Sequence, residues 1–308
     1  MKTQVLPAMC LAFTLAACSG HGGAGTTSLP PAASAFRTAV SNGALLYVSD
    51  TNGDAVRMYS FPRLTLEGSA QVGDPEDLCV DDRTKNVWVV STVYSKVVEF
   101  AHGGTTPIAT LLDGYQYPDA CAVDPVTGDL AVANFNNGGS DPGSVSIYKK
   151  SRGKARLFTD RNIYFVSFLA YDGKGDLFVD GSNQTLSRFR LAELPRGATK
   201  LEDLSLTGTR IKAPAGVVYR HGVLAIGDQK RSAIFQTSNG RVVGRTSLQK
   251  ACRMAQFLVV DKQAIVANTC GSIQNPTGDL LIYNYPRGGS PVSEITGLGV
   301  AFGVAISR

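Results

Sequence analysis

The chain has 308 residues, of which 18% are charged and 44% hydrophobic, with 33 glycines. That balance excludes a disordered or coiled-coil protein and suits one built of strands and turns. The formal charge of +5 is small for the length and spread along the chain, so it lacks the basic footprint of a nucleic-acid binder and no nucleic-acid partner is expected.

In chain order, Met1 and Lys2 make a short positive start. Val5 to Ala17 (VLPAMCLAFTLAA) is apolar but too short to cross a bilayer as an ordinary helix, so residues 1–17 read as a signal peptide. Leu15, Ala16, Ala17 and Cys18 spell L-A-A-C, which resembles the bacterial lipobox. The resemblance implies that Cys18 is the lipidated first residue of the mature protein. It is then tied to the membrane by several acyl chains, since one alone anchors only marginally. Ser19 resembles the outer-membrane sorting pattern of Gram-negative bacteria, which gives an expected address at the bacterial cell envelope. Residues 18–42 are small, polar and nearly uncharged, and read as a flexible tether reaching about 25 to 30 Å.

From residue 43 to 308 the pattern is all-β: short runs rich in Val, Ile, Leu and aromatics alternate with Gly, Asp, Asn and Pro turns. One unit recurs six times, and its second strands align as LLYVSDT (Leu45 to Thr51), NVWVVST (Asn86 to Thr92), DLAVANF (Asp129 to Phe135), DLFVDGS (Asp176 to Ser182), VLAIGDQ (Val223 to Gln229) and QAIVANT (Gln263 to Thr269). First strands end at Asp81, Asp124, Asp172, Arg220, Asp261 and Ser307, a spacing of roughly 40 to 50 residues that matches propeller blades. Gly299 to Arg308 has the form of a first strand with nothing after it, and Leu45 to Phe61 that of a blade lacking its first strand. Joined, they close a ring and remove the open edges that invite aggregation, so a monomeric six-bladed β-propeller is expected. The divergent stretch from Leu186 to Ile211, including LAELPRG as a short helix or loop, leaves five and seven blades open.

LLYVSDTNGDAVRMYSF is similar to the NHL-repeat signature, an apolar strand ending in an Asp-Thr-Asn turn that leads to a strand with an aromatic end. PEDLCVDDRTKNVWVVSTVYSKVVEF (Pro75 to Phe100) and PDACAVDPVTGDLAVANF (Pro118 to Phe135) repeat that style. The resemblance implies a propeller of the NHL and gluconolactonase-like group, and speaks to fold more than to activity.

Four cysteines lie in the propeller, and an exported protein sits where disulfides form. Cys252 and Cys270 lie nine residues either side of Asp261, opposite each other across a hairpin. Cys79 and Cys121 fall two and three residues before Asp81 and Asp124, on opposite faces of neighbouring blades, as an inter-blade bridge requires.

Few residues suggest chemistry. The three histidines, His21, His102 and His221, fall in the tether and in turns, and no G-x-S-x-G elbow is present. Equivalent strand ends carry Asp50, Asn134, Asp228 and Asn268, with Asp180 one place earlier, and such a ring of oxygens suits Ca²⁺ or another divalent cation. The gluconolactonase-like group uses a set of this kind for its metal, though its acidic residue in the opening blade has no match here. The competing reading is structural: Asp and Asn at strand ends bond nearby backbone N–H groups. The expected function is a non-enzymatic binding or scaffolding module for protein or glycan, with a metal-dependent lactonase-like hydrolase as the alternative.

Overall fold

The computed structural model describes residues 43–114, 116–136 and 141–308; residues 1–42, on which the expected signal peptide, Cys18 and the expected tether fall, lie outside the described residues. The described chain forms six four-stranded antiparallel sheets, and the innermost strand of each packs on those of the blades to either side. It is a six-bladed β-propeller.

Blade one joins the two ends of the sequence. Its innermost strand is Ala301–Ser307, which pairs with Leu45–Asp50 in the register Leu45↔Ser307, Leu46↔Ile306, Tyr47↔Ala305 and Val48↔Val304. His102, in blade two, latches this closure: its Nδ1 lies 2.8 Å from Ser307 Oγ and its Nε2 3.1 Å from the Gly43 carbonyl. The other innermost strands are Pro75–Val80, Pro118–Val123, Phe165–Tyr171, Pro214–Arg220 and Arg253–Val260, for blades two to six in order.

The six aligned segments are all second strands, from Leu45–Asp50 to Gln263–Gly271. A second strand has a neighbouring blade on both faces, so both its faces are apolar; every residue of Leu45–Asp50 and of Val87–Ser91 is buried. Outermost strands meet solvent, and Arg241–Ser247 alternates exposed residues with half-buried ones and the buried Thr246 accordingly.

The recurring Asp at the end of the first strand has a local cause. Asp81, Asp124 and Asp172 each accept the backbone N–H two residues on, from Arg83, Val126 and Lys174 at 2.7 to 2.9 Å, and so hold the turn into the second strand. In blades five and six the turn shortens to His221-Gly222 and Asp261-Lys262, with His221 and Asp261 at positive φ.

The divergent stretch does not change the blade count. Leu191 to Leu194 of LAELPRG finish the third strand of blade four, Phe189–Leu194, and form neither helix nor loop. The fourth strand is only Glu202–Asp203, after which the chain bridges to blade five at Thr207↔Arg241.

Both disulfides form. Cys79 and Cys121 link the innermost strands of blades two and three, with Cα atoms 5.6 Å apart. Cys252 and Cys270 close the first hairpin of blade six, with Cα atoms 5.2 Å apart.

Candidate functional site on the propeller axis

The innermost strands converge on the axis, and in every blade the pairing of first with second strand shifts register near the end where the first strand enters. Such bulges turn successive side chains out of the regular alternation. Two of them are pinned from the second strand: Asp180 Oδ1 accepts the Phe168 N–H at 2.9 Å, and Ser49 Oγ accepts the Gly303 N–H at 2.7 Å.

Side chains released at this level meet across the axis. Phe168 of blade four stacks on Phe302 of blade one, the blade facing it, with ring centroids 5.9 Å apart. Gln256 of blade six donates to Asp77 Oδ2 of blade two at 3.4 Å, passing blade one between them. The same oxygen accepts the Cys121 N–H of blade three at 3.3 Å. Glycines leave the room: a Cβ on Gly303 would lie 2.5 Å from Asp77 Cα, and one on Gly216 would lie 2.0 Å from Gln256 Oε1. Together these four side chains form a plug across the axis.

At the strand-entry end, Glu76, Asp77, Asp119 and Asp180 act on one another's charge. Glu76 and Asp119 directly follow the prolines that open the innermost strands of blades two and three, and both keep partial contact with solvent. Burial pushes Asp119 up to about 8, helped by the charge of Asp77. Burial likewise raises Asp77 to about 7, against hydrogen bonds from Leu78, Cys121 and Gln256 that hold it down. Glu76 is held well above the usual carboxylate range by burial and then by Asp119, Asp74 and Asp77. Asp180 is raised by burial and by Asp119, despite its bond from Phe168. One oxygen each of Glu76, Asp77 and Asp180 is buried without a hydrogen-bond partner.

At the opposite end, where first strands turn into second strands, the axis opens into a cavity of about 910 Å³. Val80, Val123, Tyr171, Tyr219, Leu258 and Ile306 contribute to its walls, Gln256 and the Cys79–Cys121 bridge also line it, and Asp82, Lys174, Arg220 and His221 bring charge and polarity. Phe178 stacks on Tyr219, with centroids 5.4 Å apart.

The five residues singled out from the strand ends lie in separate local networks. Asp50 bonds Arg57 at 3.1 Å and the N–H groups of Gly53 and Gly299. Asn134 donates to Ser144 and Ser146, and Asp228 accepts the Lys212 N–H and lies 3.7 Å from Arg231. Asn268 accepts the N–H groups of Cys252 and Arg253, so it braces the neighbouring disulfide. Asp180 alone of the five takes part in the axial cluster. Asn134, Asp180 and Asp228 each keep one unpartnered oxygen. Among the described residues no group of three or more His, Cys, Asp or Glu side chains is arranged to hold a metal ion. The residues that do gather, Glu76, Asp77 and Asp119, had one signal in the sequence, the acids immediately after Pro75 and Pro118.

No described protein family matches the chain, and no curated protein is similar to it. Solved structures are similar in fold. One, titled as the crystal structure of a nidogen/laminin complex, is 12% identical with a TM-score of 0.69, covering 86% of this chain and 99% of that one. Another, a protein of unknown function from Bacteroides caccae, is 12% identical with a TM-score of 0.63, again over 86% of this chain and 99% of that one. At this identity the likeness concerns the fold alone: the chain is similar to other β-propellers.

Proposed function

We propose that this propeller is a binding module of the bacterial cell envelope, held to the outer membrane through an acylated Cys18 and the tether of residues 18–42, and that it presents its turn-end cavity to a protein or glycan. The observation that carries this reading is the cavity itself. Its size falls within the range of about 300 to 1,000 Å³ typical of ligand sites, and its walls combine apolar and aromatic surface with a few charged groups. The neighbour solved as part of a nidogen/laminin complex adds a precedent for partner binding on this fold.

The test is saturable capture of envelope proteins or arrayed glycans by the immobilised full chain, compared with a Tyr171→Ala, Tyr219→Ala variant. Capture that the variant loses supports the reading, and capture indifferent to the cavity overturns it. The alternative is a divalent-cation-dependent lactonase drawing on the strand-end oxygens, with Ca²⁺ as the first metal to try. The unpartnered oxygens of Asn134, Asp180 and Asp228 are what favour it. Chelator-sensitive turnover of a lactone panel, lost in Asp228→Ala, would establish it instead. Mass spectrometry of the mature N-terminus tests acylation at Cys18.

A further inference from the structure

We propose that a cleft between blades three and four, off the axis and separate from the turn-end cavity, is a second binding site and takes a phosphomonoester, a phosphoryl group carried on a small organic body. The cleft has a volume of about 440 Å³. Its walls come from the first turn and the 149–156 loop of blade three, and from Gly175 and the 194–198 segment of blade four. Lys149, Lys154 and Arg156 line it from one blade and Arg196 from the other. Against these four cations stand two acids, Asp124 and Asp129, so the lining carries an excess of two positive charges.

The two acids serve the turns, whereas the four cations are not neutralised. Asp124 Oδ1 accepts the Val126 N–H at 2.8 Å and its Oδ2 the Thr127 hydroxyl at 2.5 Å, while Asp129 Oδ1 accepts the Lys150 N–H at 2.8 Å. Among the described residues no ion pair holds Lys149, Lys154, Arg156 or Arg196. Their setting distinguishes them from an ordinary solvated face. The Arg156 guanidinium lies over the Phe158 ring, 4.6 Å from its centroid, which holds it against the cleft wall. The Arg196 N–H is bonded to Asp176 Oδ1 at 2.8 Å and the Ser151 hydroxyl to the Gly128 carbonyl at 2.9 Å, so both loops are tied to neighbouring turns. Gly175, at a positive φ of 92°, keeps the space between them clear: a Cβ there would lie 3.2 Å from Arg196 Cδ and 3.3 Å from both Asp124 oxygens.

Charge and shape select the ligand. A phosphomonoester carries about −1.5 to −2 charge at neutral pH and three strong acceptor oxygens, which matches the excess of positive charge. Two guanidinium groups offer forked donors to those oxygens, and two ammonium groups offer point charges. A carboxylate brings one charge and two oxygens, and so leaves the excess half met. Beside the cations, Phe158 and Leu194 are buried and Tyr171 and Pro195 half-buried, which gives the organic body an apolar surface. The volume lies within the range of about 300 to 1,000 Å³ usual for ligand sites. The ester is either a soluble small molecule or the head group of a lipid.

The experiment is calorimetric titration of the full chain at pH 7.5 with phenyl phosphate, benzoate, phenol and inorganic phosphate, and with phosphatidylcholine vesicles with and without phosphatidate. Saturable binding of phenyl phosphate is expected, about tenfold tighter than that of benzoate and tighter than that of inorganic phosphate, with phenol weaker still. Arg156→Gln and Arg196→Gln should each weaken it by about tenfold. Both side chains are exposed and outside any ion pair, so the unfolding curves of these variants should match that of the parent chain. Tighter binding to phosphatidate vesicles than to phenyl phosphate identifies a lipid head group as the source, and the converse identifies a soluble ester. No saturable binding of phenyl phosphate or phosphatidate, benzoate, phenol or inorganic phosphate bound as tightly as phenyl phosphate, or binding unchanged in both arginine variants overturns the proposal. Tyr171 lines both the cleft and the turn-end cavity, whereas Tyr219 lines the cavity and not the cleft. Tyr219→Ala should therefore leave phosphate binding as it was, and binding lost in that variant places the ligand in the turn-end cavity and overturns the cleft.

Discussion

Gln256 donates to Asp77 across the propeller axis at 3.4 Å, although the two residues stand 179 positions apart in the chain. It is the one side-chain bond among the three that hold Asp77 below the level burial alone would set. Gln256→Leu keeps the volume near that of the native residue but removes the donor. The expected result is an Asp77 carboxyl that titrates above its native value of about 7, read by carbon NMR of the labelled side chain. The variant should also lose about 1 kcal/mol of stability at pH 8.5, where Asp77 is ionised, and less at pH 5.

The axial acids also set the sign of the pH dependence. Asp77 and Asp119 rise from an ordinary 3.8 to about 7 and about 8 on folding, so between those limits the native state holds more protons than the unfolded chain. Their contribution is therefore full below about pH 4 and is lost as pH rises through about 8. In urea titrations the contribution of these groups makes the protein less stable at pH 8.5 than at pH 5.5. Asp119→Asn should flatten that slope and raise the melting temperature at pH 8.5 by roughly 2 to 4 °C, the shift expected for about 1 kcal/mol in a domain of this size. A variant whose stability falls more steeply with pH than the parent would contradict the assignment.

Much of the architecture was legible because it is local and repeated. The six second strands are apolar on both faces, and that gives LLYVSD, VWVVS and their counterparts a common appearance. Ring closure was legible from the unmatched ends. The pairing of Cys252 with Cys270 was legible through two offsets that cancel: the turn is Asp261-Lys262 rather than a hairpin centred on Asp261, and the register shift between Met254 and Phe257 restores the alignment. The axial site was not legible for a physical reason. Bulges decide which side chains reach the axis, and their positions depend on packing among all six blades, so Asp77 and Gln256 have no local pattern. The strand-end oxygens, by contrast, form an evident ring in an alignment while each serves a turn or strand beside it, as Asp50 does for Gly53 and Gly299.

The two disulfides should differ in what they contribute. Cys79–Cys121 spans 42 residues and ties two blades, whereas Cys252–Cys270 spans 18 within one blade. Chain entropy alone assigns about 4 kcal/mol to the longer loop and about 3 kcal/mol to the shorter. Equilibrium unfolding of the two paired Cys→Ser variants measures this difference. The shorter bridge also braces the backbone that Asn268 holds through the N–H groups of Cys252 and Arg253, so its loss should raise hydrogen exchange at those two amides while the axis stays protected.

Gly303 tests whether the plug depends on close approach of blade one to blade two. Its backbone does not need a positive φ, so alanine is not disfavoured by conformation there, and the only obstacle is space. An added Cβ would meet Asp77 Cα at 2.5 Å and the Glu76 carbonyl oxygen at 2.6 Å, both main-chain positions that move only with the whole strand. Gly303→Ala must therefore push the closing strand away from blade two, which strains the Asp77 bonds to Cys121 and Gln256 together with the Phe168–Phe302 stack. The expected cost is about 1 to 3 kcal/mol, as for overpacking elsewhere in protein cores. It should appear in urea unfolding with an unchanged m-value, because the ring still closes. Gly297→Ala, at a positive φ of 84° but with nothing within 4 Å of its Cβ, separates backbone strain from crowding: it should cost about 1 kcal/mol and leave the Asp77 titration as it was, whereas Gly303→Ala should shift it.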